Sequence, residues 1–240
     1  MERTLFVFEG EKFERLYFQS LERSFFSGEE SRILLCFKND IYELYRELAA
    51  DKDLDSFEII RELTPLAKDR EELAKLRRDQ ISQIYLFFDM EPRDNQFNKQ
   101  KLLEMLAHFN NETEHGKLFI SYPMVEAIRD IDDHEEYLTR TVSIDDCIGK
   151  RYKPLSADRG NQAYQDARKI DKEAWQGLIS VHIKKANGFI SGEFSLEPVI
   201  DQQQIALAQL SKYMPINEVA VLSAFPIFLM DYFGEKVFRL

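Results

Sequence analysis

Short apolar runs alternating with charged, helix-periodic stretches organise the first half of the chain. Thr4-Leu5-Phe6-Val7-Phe8 is β-prone and lacks polar alternation, as a strand covered on both faces does, and it stops at Glu9-Gly10. From Glu11 to Phe26 the positions Phe13, Leu16, Tyr17, Leu21 and Phe25 recur near helical spacing, and Gly28 closes the pattern. The unit repeats as an apolar run over Ile33 to Phe37 and a helix over Ile41 to Ala50. Asp51 to Asp79 is charged and reads as mostly helical, with a break at Pro65. A third run, Ile84 to Phe88, ends in Asp89-Met90-Glu91-Pro92, and proline cannot continue a central strand. A helix over Lys99 to Phe109 and a fourth run over Lys117 to Ser121 follow, and Pro123 is placed to open a helix through Glu126 and Ile131.

This alternation predicts an α/β fold over residues 1–135, with a parallel sheet of about four strands and helices on both faces. Sheets of this kind bind ligands beyond the carboxyl ends of their strands, where Glu9, Asp89 and Glu91 fall. Past Asp132 the strand pattern is lost, and residues 136–240 read as a mainly helical accessory or interface region. Within it, EVAVLSAFPIFLMDYF is nearly all apolar. It predicts a helix buried all round, kinked or started at Pro226, and a candidate surface for homo-oligomerisation.

Composition narrows the class. With 44% hydrophobic and 31% charged residues the chain is that of a folded globular protein. Glu9 interrupts the apolar N-terminal segment too early for an export signal. Val219 to Phe233 falls short of the roughly 20 residues that span a bilayer and contains Pro226 and Asp231. Cys36 and Cys147 suggest neither a disulfide framework nor a thiolate metal site, so a reducing cytoplasm is expected. His108, His115, His134 and His182 show no metal-ligand spacing.

A net charge of −11 excludes a broad basic coat for nucleic acid, because such binding depends on releasing phosphate counterions. Contact with nucleic acid must then be local. Lys150 to Lys172 has seven basic residues against three acidic ones, making Lys150, Arg151, Lys153 and Arg159 candidates, with Tyr152 and Tyr164 as aromatic partners and Lys12 beside Glu9.

The chemistry-bearing constellation is acidic. Asp89 and Glu91 are two residues apart, so on an extended backbone both side chains leave the same face. Glu9 ends a different strand, and neighbouring tips in a parallel sheet lie side by side. Three carboxylates brought together this way suit one or two Mg²⁺ or Mn²⁺ ions, not zinc, and two cations could stabilise both the attacking and leaving oxygens of a phosphodiester. Asp94 and Asp40 also lie near strand ends and stand in reserve.

A hydrophobic strand ending in Glu-Gly, followed later by a strand ending in Asp-x-Asp/Glu, resembles the Toprim fold of topoisomerases, primases and OLD-family nucleases. The likeness extends to the RloB-like Toprim proteins of bacterial defence and abortive-infection loci. EGEKFERLYF (Glu9 to Phe18) is similar to their Glu-Gly segment with its following glutamate and Tyr-Phe pair, and SYPMVE (Ser121 to Glu126) is similar to their Ser-x-Pro-x-x-Glu segment. The resemblance covers roughly the first 135 residues. It implies Glu9 as general base or metal ligand, Asp89 and Glu91 as metal ligands, and Glu126 completing or orienting the site of a Mg²⁺-dependent nuclease. It also implies an anti-phage effector working with a partner ATPase, and the chain has no G-x-x-x-x-G-K-[ST] loop of its own. The chain departs from the common pattern in having Asp-Met-Glu for Asp-x-Asp. That departure leaves open a catalytically degenerate module that binds a partner or nucleic acid without cleaving.

Overall fold

The computed structural model describes residues 3–26, 31–38, 41–50, 55–197 and 201–240; the expectations placed on Gly28, Asp40 and Asp51 lie outside them. The first half comprises β1 (Arg3–Phe8), α1 (Phe13–Phe25), β2 (Ser31–Cys36), α2 (Ile41–Ala50), α3 (Ser56–Leu63), α4 (Ala67–Leu73), β3 (Ile81–Asp89), α5 (Lys99–His108), β4 (Asn110–Asn111) and β5 (Gly116–Ser121). The sheet order is β2-β1-β3-β5-β4. Its four long strands are mutually parallel, and the two-residue β4 pairs antiparallel with β5. The chain is therefore an α/β protein with a mostly parallel five-stranded sheet.

Leu5 to Phe8 are wholly buried, which accounts for the unbroken apolar run: successive side chains enter opposite faces, and both faces are covered. On one face Phe6, Phe8, Tyr85, Phe87 and Phe119 form an aromatic layer. Phe18 of α1 lies 4.4 Å from Phe6 and 5.5 Å from Phe8, centroid to centroid. Phe87 stacks on Phe119 at 5.7 Å.

The segment after β5 corrects one expectation. Pro123 does not open an α-helix; residues Val125–Arg129 form a 3₁₀ turn. Tyr122 exchanges two backbone hydrogen bonds with Leu222, at 2.8 and 2.9 Å, and this pairing holds the chain extended where a helix was to begin.

The second half comprises α6 (His134–Tyr137), β6 (Thr141–Ser143), α7 (Gly149–Arg159), α8 (Gln162–Gln165), α9 (Lys172–Ser191), α10 (Gln202–Ala208), β7 (Glu218–Ala220) and α11 (Ala224–Phe233). It is not free of strands, because β6 and β7 pair antiparallel. The apolar C-terminal stretch accordingly divides into β7 and then α11, and Pro226 sits in the first turn of α11, where no intrahelical N–H is required.

Ala224 to Met230 are all buried in the chain's own core. Phe225 and Phe228 complete the aromatic layer of the sheet, 5.1 and 5.3 Å from Phe87. One continuous apolar cluster runs through both halves. Among the described residues, no helix is long and apolar enough to cross a membrane.

A polar rivet ties the two halves further. The buried Ser20 hydroxyl of α1 donates to Ile170 O at 2.9 Å and accepts from Trp175 Nε1 of α9 at 3.0 Å. Ser20→Ala would orphan a buried acceptor and a buried indole N–H. It is expected to lower the free energy of unfolding by about 2 kcal/mol, measured by urea denaturation with an unchanged m-value.

Candidate metal centre

Adjacent parallel strands bring the acids together. Phe8 of β1 is in register with Phe87 of β3, so Glu9 emerges beside Asp89. The Glu9 amide donates to Phe87 O at 3.0 Å, and its carboxylate Oε2 accepts from the Asp89 amide at 2.8 Å. Glu91 joins them, and one oxygen from each of Glu9, Asp89 and Glu91 lies within 4.8 Å of the other two.

The route by which Glu91 arrives differs from the expected one. The strand ends at Asp89, and Glu91 sits in the left-handed region at φ 42°, so Asp89 and Glu91 do not share a face of an extended backbone. The turn is held by the Glu91 amide donating to Pro123 O at 3.2 Å and the Asp94 amide donating to Glu91 O at 2.8 Å. A left-handed glutamate costs on the order of 1–3 kcal/mol, a strain that concentrates at functional sites.

The acid serving the head of α1 is Glu14, which accepts from the Gly10 amide at 2.9 Å, while Glu9 points at Asp89. A Cβ on residue 10 would lie 2.5 Å from Glu14 Oε1, so glycine is required there for the carboxylate to approach. Glu14 and Glu126 are both buried. Burial, then the nearby charges of Glu9, Glu14, Glu126 and Glu91, hold the Asp89 carboxyl well above the usual carboxylate range. Burial also raises Glu14, and Glu126 adds to that.

Glu126 lies outside the group of three and is 1% exposed. Lys153 Nζ is 3.3 Å from its Oε1, off the line of a hydrogen bond. Glu9, Gly10, Lys12, Lys38, Asp89, Glu91 and Lys153 line an open cleft of about 430 Å³. Lys38 is ion-paired with Glu11 at 2.8 Å, which holds the Glu11 carboxyl below its ordinary range.

The candidates for nucleic-acid contact fare unevenly. Lys12 and Lys153 face the cleft, and Lys150 is exposed. Arg159 is instead locked by two hydrogen bonds to buried Asp130, and Arg151 donates to Asp145 O and pairs with Asp146. Neither tyrosine is a stacking platform. Tyr152 is fully buried with its hydroxyl donating to Asp130, and Tyr164 is buried with its hydroxyl against His134. Asp94 closes a local turn by accepting from the Gln96 amide, and is not part of the acidic group.

Sequence reading passed over Glu14 and Lys38. A signal for Glu14 existed in Gly10, whose missing side chain makes room for a carboxylate one helical turn further on. Lys38 stands beyond the apolar run of β2 and gave no such sign. The donor set fits a hard divalent cation, since it consists of carboxylate oxygens from three backbone positions crowded at one strand-tip cleft. Comparison with protein-family models, with curated proteins and with solved structures returns no match to this chain.

Proposed function

We propose that this protein is a Mg²⁺- or Mn²⁺-dependent phosphodiesterase of the Toprim type, acting on DNA or RNA. The observation that carries this reading is the convergence of Glu9, Asp89 and Glu91 at adjacent strand tips, with one oxygen from each within 4.8 Å of the others. Carboxylates crowded so closely repel one another unless a proton or a cation lies among them. A divalent cation held there would neutralise phosphate charge and lower the pKa of a bound water.

The chain's own groups do the rest. The strand register and the Asp89 amide fix the Glu9 carboxylate in place. Lys12 and Lys153 supply the positive side of the cleft toward a phosphate. Given the net charge of −11, further positive surface is assigned to a partner, for which a regulating ATPase is the proposed source.

Two measurements on the purified chain test this. Saturating Mg²⁺ or Mn²⁺ is expected to raise the melting temperature, because a ligand that binds only the folded state stabilises it by mass action. The same cations are expected to support cleavage of single- or double-stranded DNA or RNA. A melting temperature indifferent to both ions would sink the metal site. A cation-linked rise without cleavage, with the partner ATPase present, would leave a binding module.

A further inference from the structure

The cleft holds an aromatic ring that the cation site does not use. Among the described residues, Phe13 and Phe194 are the exposed phenylalanines of the chain. The Phe194 ring lies against Gly188 of α9, where an added Cβ would meet it at 2.3 Å. Phe13 instead opens α1 directly after Lys12, is 38% exposed, and lines the same cleft as Glu9, Asp89 and Glu91. An apolar ring left facing water among lysines suits a ligand that carries both a flat unsaturated face and negative charge.

The ring is also braced. Arg129 Cζ stands 5.7 Å from its centroid, within the range of a cation–π contact. That guanidinium is fixed in turn, its Nε donating to Ser156 Oγ at 3.2 Å and a terminal nitrogen donating to Lys153 O at 2.8 Å. Ser156 is fully buried, and both acceptors belong to α7. A planar ligand therefore meets a ring whose support is already ordered, which lowers the entropy cost of binding.

We propose that Phe13 is a stacking platform for one unpaired nucleobase, so that the substrate of the cleft is single-stranded nucleic acid. The proposal rests on reading Glu9, Asp89 and Glu91 as the cation site that cuts the strand. A base inside a duplex has both faces covered by its neighbours, and only an unpaired one can lie on the ring. Lys12 and Lys153 line the same cleft and meet the phosphates of the strand. Stacking also answers the chain's charge of −11, since it supplies affinity without requiring further phosphates to be neutralised. A ring face does not read the sugar, so the same platform serves DNA or RNA.

The test is the affinity of the full chain for a short end-labelled single strand, as DNA and as RNA, by fluorescence anisotropy with Ca²⁺ in place of Mg²⁺ to keep the strand intact. The matching duplex and an abasic single strand are the comparisons, and the single strand is expected to bind several-fold tighter than either. Phe13→Ala and Phe13→Leu should each weaken it by about tenfold, the size of one lost base–aromatic stack, and should not alter binding of the abasic strand. Because Phe13 is exposed, both variants are expected to keep the wild-type melting temperature. Phe13→Trp should retain the affinity, with the new indole quenched by the single strand and not by the abasic one. Trp175 is fully buried, so the quenching reports position 13.

Tighter binding of the DNA strand or of the RNA strand identifies the substrate, and either supports the platform. Wild-type affinity in Phe13→Ala and Phe13→Leu overturns it, as does a duplex bound as tightly as the single strand, or no binding of any strand. Cation-dependent cleavage together with binding indifferent to position 13 would leave the metal reading standing alone. Binding that depends on Phe13, without cleavage in Mg²⁺ or Mn²⁺, would leave the platform standing and remove the phosphodiesterase.

Discussion

Glu9→Gln and Asp89→Asn are each expected to reduce cation-dependent phosphodiester cleavage by more than about 100-fold while leaving the fold intact. The lower bound follows from metal sites in general, where losing even an outer partner of a ligand costs about 10–100-fold. Both substitutions preserve the local hydrogen bonding. Gln retains a side-chain oxygen to accept from the residue 89 amide, and residue 89 contributes that bond through its backbone, which Asn leaves unchanged. Each also removes one of several mutually repelling carboxylates, so near-UV circular dichroism should match wild type and the melting temperature without cation should not fall. The cation-linked rise in melting temperature, by contrast, should be lost or much reduced in both. Cleavage at wild-type rates in both variants, with the natural partner present, would end the assignment of these residues to chemistry.

The sheet is legible because each of its four long strands carries a short apolar run, buried on both faces in β1 and largely buried in the others, a pattern that periodicity reads directly. Knowing that the strands are parallel neighbours is then enough to set Glu9 beside Asp89. Glu91 joins Glu9 and Asp89 through a left-handed turn, which sequence spacing cannot distinguish from an extended strand. The β6–β7 pair was illegible because three-residue strands show no alternation, and an apolar segment that changes from strand to helix at Ser223 reads as a single buried helix. Buried charge was the hardest to see. Asp130 and Glu126 look like surface residues in the sequence, and only long-range partners reveal them as interior.

Asp130→Asn is expected to destabilise the protein by about 3 kcal/mol and to loosen the cleft from a distance. Asp130 is completely buried and accepts two hydrogen bonds from Arg159 and one, at 2.7 Å, from the Tyr152 hydroxyl. Arg140 lies 3.7 Å from the same carboxylate and is bound to Asp132 as well. Neutralising Asp130 strands guanidinium charge in the interior, and breaking a buried pair costs about 3–5 kcal/mol. The lower end applies because the Arg159 side chain is a quarter exposed and water recovers part of the charge. The consequence for the site follows from connectivity. Asp130 immediately follows the 3₁₀ turn that carries Glu126, and both Tyr152 and Arg159 belong to α7, which also carries Lys153. The carboxylate therefore fixes α7 against the turn and sets the Lys153–Glu126 separation. Denaturant unfolding should show the stability loss, and hydrogen exchange at α7 amides should accelerate more than in β1 or β3. Equal acceleration everywhere would show that Asp130 supports global stability without positioning α7. An unchanged stability would show that the buried pair is worth no more than its neutral replacement.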